Sequence, residues 1–225
     1  MELAIDTSTN YAGIALSHEG KPVAERTWYS ENNHTIELVP NIQNVFKQIK
    51  IETKDIQAIF VAKGPGSFNG VRVGLSTAKG FALALNIPIV AISTLEIEAY
   101  PFAFTRLPIC PIHNAGRGEI ATALYRQNNH WECLKEEHIT NIETLCQQIK
   151  EQTLFCGEIS PSDIEYVQQK LEKNAIIPEA TVLLRHASHL AALGWQRLST
   201  GIQDNPESIQ PIYLRKPPIT QRKVK

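Results

Sequence analysis

Three groups of residues in this chain of 225 have types and spacings that could do chemistry. The first is Asp6-Thr7-Ser8-Thr9-Asn10, an acid followed by three hydroxyls and an amide. Hydroxyl and backbone N–H donors can hold phosphate oxygens while a carboxylate faces a hydrated divalent cation. The same residue types suit an ordinary turn, because their side chains bond local backbone; the spacing leaves both readings open. The second group is Lys63-Gly64-Pro65-Gly66-Ser67-Phe68-Asn69-Gly70-Val71-Arg72-Val73-Gly74. Glycines there let the chain turn tightly, and free N–H groups at a helix start favour an anion. It is not a Walker A loop, since position 69 is Asn69 and Gly70 is followed by Val71 rather than lysine. Nor is it a dinucleotide fingerprint, because Gly66 and Gly70 stand one residue too far apart. A tight strand-to-helix turn that binds nothing is the other reading. Arg72 suits an acidic partner or ligand, and equally a solvated helix surface. The third group is the histidines. His34 would need a second histidine four residues on to make a zinc pair, and that position is Leu38; only Glu37 remains as a lone second ligand. His186 and His189 have no acid or cysteine beside them. Two ligands seldom hold a metal, so no metal site is expected. There is no GxSxG elbow and no Ser or Cys with a base nearby in sequence, so no catalytic residue is assigned.

The elements that would position these groups are legible from periodicity. Residues 2–7, 12–17 and 22–28 read as a meander of three short strands, with Glu19-Gly20 as a turn signal. Ile36, Val39, Ile42, Val45, Phe46 and Ile49 recur at steps of three and four, predicting an amphipathic helix with Pro40 near its first turn. Residues 58–62 form a buried strand, and 71–85 a helix rich in small residues. Residues 88–92 form another strand, and Ser93 with Glu96 reads as a capping box opening a third helix. A weaker version of the pattern follows. Strands are expected at 109–112, 120–125, 132–137 and 153–156, with helices at 142–150, from Ser160-Pro161, and over 180–198. Two successive halves, each a meander followed by α/β units, suggest a duplicated α/β architecture, without a residue-level repeat. The expected organisation is an N-terminal lobe over 1–103, a smaller lobe over 104–200 that includes the last helix, and a Pro-rich basic tail over 201–225 packing back on the body.

Composition sets outer limits. Hydrophobic residues are 43% and charged residues 20%, ordinary for a globular chain, so disorder throughout is excluded. Net charge is −1, which excludes nucleic-acid binding through overall charge. The balance is uneven: residues 215–225 carry Arg215, Lys216, Arg222, Lys223 and Lys225 and no acid. That end could touch phosphate, or be a solvated terminus. Cys110, Cys133, Cys146 and Cys156 are scattered with no CxxC, which suits a reducing compartment. No apolar run reaches a membrane span and the start is unlike a signal peptide, so a cytoplasmic protein without membrane contact is expected.

Taken together, Leu3-Ala4-Ile5-Asp6-Thr7-Ser8-Thr9, the run from Gly64 to Gly74, Ala78-Lys79-Gly80, Ser93-Thr94-Leu95-Glu96 and Pro211-Ile212-Tyr213-Leu214-Arg215 resemble the TsaB (YeaZ) family, over almost the whole chain. That family lies in the glycoprotease-like branch of the actin/sugar kinase/Hsp70 superfamily. The resemblance implies a two-lobed actin-like ATPase fold, each lobe a mixed sheet flanked by helices. It implies a non-catalytic dimerisation platform for the complex that makes threonylcarbamoyladenosine at adenosine 37 of tRNA. Its partners would be the catalytic paralogue TsaD and TsaE, with TsaC transient and tRNA met through the complex; no cofactor is implied. Asp6, Thr7, Ser8, Gly64, Gly66, Ser67, Gly70 and Arg72 would be a degenerate nucleotide site. The chain departs from the pattern at several positions. The metal-binding relative has a His-x-x-x-His pair where this chain has His34 and Leu38, and the threonine usual after GPGSF is Asn69. The Asp-Ala-Arg-x-Gly-Glu stretch is Asn114-Ala115-Gly116-Arg117-Gly118-Glu119, and a later Gly-x-Gly turn survives only as Gly157-Glu158-Ile159. These departures argue against ATP hydrolysis by the chain alone. The first two helices fit a four-helix interface between related chains, small residues allowing close approach. Ile36, Val39, Ile42, Phe46, Gly74, Leu75 and Ala78 are the expected contacts, and without TsaD the same surface would pair two copies of the chain. An ATP-dependent kinase-like enzyme, a metalloprotease and a homodimeric scaffold are the competing readings.

Overall fold

The computed structural model describes residues 1–179 and 184–214. Its first sheet begins with a meander, β1 (Glu2–Asp6), β2 (Tyr11–His18) and β3 (Lys21–Tyr29). Helix α1 (His34–Ile49), strand β4 (Ala58–Ala62), helix α2 (Phe68–Leu85) and strand β5 (Ile89–Ile92) follow. The order across the sheet is β3-β2-β1-β4-β5, antiparallel through the meander and parallel from β1 to β5. Helix α3 (Thr94–Ala99) leads to the second half: β6 (Ile109–Gly116), β7 (Glu119–Gln127), β8 (Trp131–Thr140), α4 (Ile142–Gln148), β9 (Thr153–Gly157), α5 (Pro161–Leu171) and β10 (Ala175–Ile176). The second sheet runs β10-β9-β6-β7-β8 with the same plan, meander antiparallel and later strands parallel. The duplication expected from the element order is therefore present in the strand topology.

Alternation along the strands explains the layers. On β1, Leu3 and Ile5 face α1 and α2 in a cluster with Leu38, Ile42, Val71 and Leu75. Ala4 faces the other way, with Phe60 of β4, toward helix α6 (Ala187–Ser199). Both faces of the first sheet are thus covered, which is why β4 reads as a continuous apolar run. Gly194 lets α6 lie flat, since a Cβ there would stand 2.2 Å from the Phe60 ring. All six residues of α3 are buried; it packs on β6, β7 and β9 and so joins the two sheets.

Several expectations change. Helix α2 begins at Phe68, not Val71, because the Ser67 hydroxyl accepts a hydrogen bond from the Gly70 N–H and starts the helix earlier. Pro40 lies in the second turn of α1 rather than the first. The Ser93–Glu96 capping box does not form: Ser93 makes no side-chain capping bond, and Glu96 instead accepts from Arg197 and from Trp131 Nε1. The last helix starts at Ala187, seven residues later than expected, with 180–183 outside the described residues. It packs on the first sheet rather than the second. The tail is irregular but attached: the Ile212 N–H donates to the Lys63 carbonyl and Lys79 Nζ to the Ile209 carbonyl. The basic residues Arg215, Lys216, Arg222, Lys223 and Lys225 lie outside the described residues.

Candidate functional site

The Asp6 turn and the glycine loop meet at the carboxyl ends of the parallel strands β1 and β4, where open α/β sheets bind ligands. The Ser67 N–H donates to the Ser8 carbonyl at 2.7 Å, and the Thr7 hydroxyl to the Gly70 carbonyl at 2.7 Å. Glycine is required by this approach: a Cβ on Gly66 would stand 2.1 Å from the Ser8 carbonyl oxygen, and one on Gly70 2.1 Å from that of Thr7. Asp6, Thr7, Ser8, Gly66, Ser67 and Gly70 are therefore gathered. Gly64 turns the chain at φ +91° and its carbonyl accepts from the Thr94 N–H. Arg72 is not gathered with them. It lies on the outer side of α2, over the Phe68 ring and bonded to the Tyr213 phenol.

What faces Asp6 is a residue that local pattern did not single out. Arg185, buried just before α6, donates through Nε to Asp6 Oδ2, through Nη1 to Glu98 Oε2 at 2.8 Å, and through Nη2 to the Ser8 and Thr9 hydroxyls at 3.1 and 3.0 Å. The other Asp6 oxygen accepts from the Ser8 N–H and hydroxyl. His113 of β6 completes the group at 3.1 Å from Glu98. Burial alone would raise the Glu98 pKa, but the Arg185 guanidinium and His113 outweigh it and hold the carboxyl down to about 2. Burial would likewise lower Arg185, and its two carboxylate partners instead raise it above its ordinary value. The guanidinium thus engages the Asp6 carboxylate and the Ser8 and Thr9 hydroxyls of the turn. Sequence reasoning missed Arg185 because it was placed inside a helix starting at 180. It missed Glu98 because its partners Arg185 and His113 are distant in sequence, 87 and 15 residues away. The available signal was an acid in a segment otherwise destined for the core, which demands a buried cation.

A cleft of about 740 Å³ opens beside this group, bordered by Thr9, Gly66, Ser67 and His113 and by the aromatic residues Tyr11, Tyr29, Phe68 and Tyr213. The altered stretches flank it. Asn114 accepts from the Gly116 N–H and opens a hairpin turn in which Gly116, Arg117 and Gly118 have positive φ. Gly157 has a packing reason: a Cβ there would stand 2.5 Å from the Ile112 carbonyl oxygen. His34 is buried with neither ring nitrogen hydrogen-bonded among the described residues, and burial lowers its pKa. Among the described residues no group of three or more His, Cys, Asp or Glu could hold a metal ion. Burial pushes the Cys110 thiol up to about 12 and Cys133 to about 11, so neither is a ready nucleophile. No helix among the described residues is long and apolar enough to cross a membrane.

Of the helix residues expected to meet a partner, Ile36 is 71% and Val39 43% exposed. Ile42, Phe46, Gly74, Leu75 and Ala78 lie in this chain's own core. The buried stripe of α1 runs through Leu38, Ile42, Val45 and Phe46, which turns Ile36 and Val39 outward.

The family model described as TsaD, tRNA N6-adenosine threonylcarbamoyltransferase, matches residues 29–221. The tRNA threonylcarbamoyladenosine biosynthesis protein TsaB of Bacillus subtilis is 32% identical over 218 residues, covering 95% of this chain and 93% of that protein. The solved structure of YeaZ from Pseudomonas aeruginosa is 25% identical with a TM-score of 0.80, covering 95% of this chain and 99% of that one. At 12% identity and a TM-score of 0.52, the activator of 2-hydroxyisocaproyl-CoA dehydratase from Clostridium difficile, solved with ADPNP, covers 94% of this chain and 99% of its own. That likeness concerns the fold alone, which is the two-lobed actin-like ATPase fold.

Proposed function

The chain belongs to the TsaB family, within the wider family described as TsaD, and from that premise we propose that it is a non-catalytic platform subunit in tRNA threonylcarbamoyladenosine biosynthesis. Its catalytic partner in this reading is the paralogue TsaD, with TsaE joining the pair. The role in the pathway rests on family membership. The non-catalytic assignment rests on one observation above all: Arg185 fills the Asp6 turn. An acid and hydroxyls at a turn can hold a cation and phosphate oxygens. Here a nucleotide would have to displace a guanidinium bonded to Asp6, Glu98, Ser8 and Thr9. Evicting it would leave the buried Asp6 carboxylate without a counter-charge and Glu98 with His113 alone, a strongly unfavourable state.

The pairing assignment is supported by the exposed edge of α1. Ile36 and Val39 are apolar, adjacent on one helical face, and uncovered in the single chain. In the absence of TsaD the same edge would serve a second copy of this chain. The test has two parts. Isothermal titration of the chain with Mg-ATP is expected to give no heat of specific binding. Light scattering of the chain mixed with its host's TsaD is expected to give a stable one-to-one complex. Saturable nucleotide binding with turnover would instead favour the kinase-like enzyme, and a failure to pair at micromolar concentration would remove the platform role.

A further inference from the structure

Tyr213 borders two concavities. One is the aromatic cleft described above. The other, about 290 Å³, lies between α2 and the chain over residues 209–213, and Arg72, Ser76 and Lys79 line it with no carboxylate. Arg72, Ser76 and Lys79 fall at steps of four and three, so they share one face of α2. The Arg72 guanidinium is held in place before any ligand arrives. It lies 3.6 Å over the Phe68 ring, and its Nε donates to the Tyr213 phenol at 2.6 Å. Its Nη1 and Nη2 hydrogens have no partner among the described residues, and Lys79 uses one of its three donors on the Ile209 carbonyl. On the cleft side, Tyr11, Tyr29, Phe68 and Tyr213 are 49, 55, 38 and 40% exposed. Tyr11 meets Tyr29 edge-on and Phe68 meets Tyr213 tilted, each pair 5.3 Å between centroids, so part of each ring stays in water. Partly exposed rings beside cations with unused donors are the two halves of a single-strand nucleic-acid site, rings for bases and cations for phosphates.

We propose that this surface binds a single-stranded RNA segment, bases stacking on Tyr11, Tyr29 and Tyr213 and the phosphate backbone seated on Arg72 and Lys79. The choice of RNA rests on the tRNA-modification reading above; the stacking and charge argument does not. A lone phosphate would use only the basic groove, and a duplex would offer no free base to the rings. Thus a single strand is the ligand that uses both.

The test is fluorescence anisotropy on the full chain with a short 5′-labelled single-stranded oligoribonucleotide, its duplex, and inorganic phosphate as competitor. The single strand is expected to bind more tightly than the duplex, and phosphate to compete only weakly. Arg72→Gln should weaken binding several-fold and reduce the salt-dependence slope by about 0.7. Tyr29→Leu should weaken it by about tenfold while leaving that slope unchanged. Both positions are exposed, and a melting curve checks that each variant folds. Failure of the full chain to bind, equal binding of the duplex, or affinity untouched by both variants would overturn the proposal. So would binding that vanishes on removing residues 215–225 yet ignores Arg72→Gln. Pairing with TsaD is scored separately by light scattering. Pairing intact with RNA binding absent removes only this inference, and the reverse removes only the platform reading.

Discussion

At the residue scale, the buried ion group built on Arg185 dominates. Arg185→Met would leave Asp6 and Glu98 buried without their cation, an expected loss of about 3–5 kcal/mol in denaturant unfolding. Arg185→Lys keeps a charge but not the fork that reaches four acceptors, so it should recover only part of the loss. An unchanged midpoint in the methionine variant would contradict this. The same group sets the acid limb of stability. Glu98 ordinarily titrates at 4.5 and is held to about 2 in the folded chain. The unfolded chain therefore takes its proton first as pH falls. The stabilisation is fully present above about 4.5 and drains away between there and about 2. A Glu98→Gln variant should show a flatter melting profile in that window. His34 acts higher. Burial lowers it below its ordinary 6.5, so the unfolded chain again gains the proton first and stability declines as pH drops through that value. Melting temperatures of His34→Gln should decline less steeply below pH 6.5.

At the element scale, the hairpin turn after β1 and the loop before α2 are fitted backbone to backbone. Gly70→Ala puts a Cβ 2.1 Å from the Thr7 carbonyl oxygen, which no side-chain rotation relieves. A cost of about 1–3 kcal/mol or more is expected in denaturant titration. Gly80, on the same helix, has nothing within 4 Å of a Cβ, so Gly80→Ala should gain about 0.5–1 kcal/mol from helix propensity. Equal effects at the two sites would contradict the close approach seen at the turn. The glycine-rich character of this loop was legible from the sequence, and so was its position between a buried strand and a helix. Which glycines are indispensable was not, because that depends on the Thr7 and Ser8 carbonyls arriving from a separate hairpin.

At the scale of the whole molecule, two sheets of one topological plan are held together by α3 and by the Asp6–Arg185–Glu98–His113 group between them. The proposed partner surface is the outward edge of α1, where Ile36 and Val39 are exposed. Ile36→Asp should leave the melting curve unchanged and weaken pairing with TsaD by about tenfold or more, read by light scattering or calorimetry. A charge at Ala78 would not test pairing, since that side chain is wholly buried and the variant would fail in its own core. The amino-acid sequence by itself determined most of the strands and helices, the order that repeats in each half and the loop motif that marks the family. Each of these is written in local periodicity, turn residues and spacing. Only the tertiary structure decided that Arg185 reaches Asp6 across 179 residues, that α6 covers the first sheet, and which side of α1 faces out. The physical reason is common to all three. A local pattern specifies how a segment folds and that one face must be buried. The partner that buries that face, or neutralises a buried charge, is chosen by the path of the whole chain.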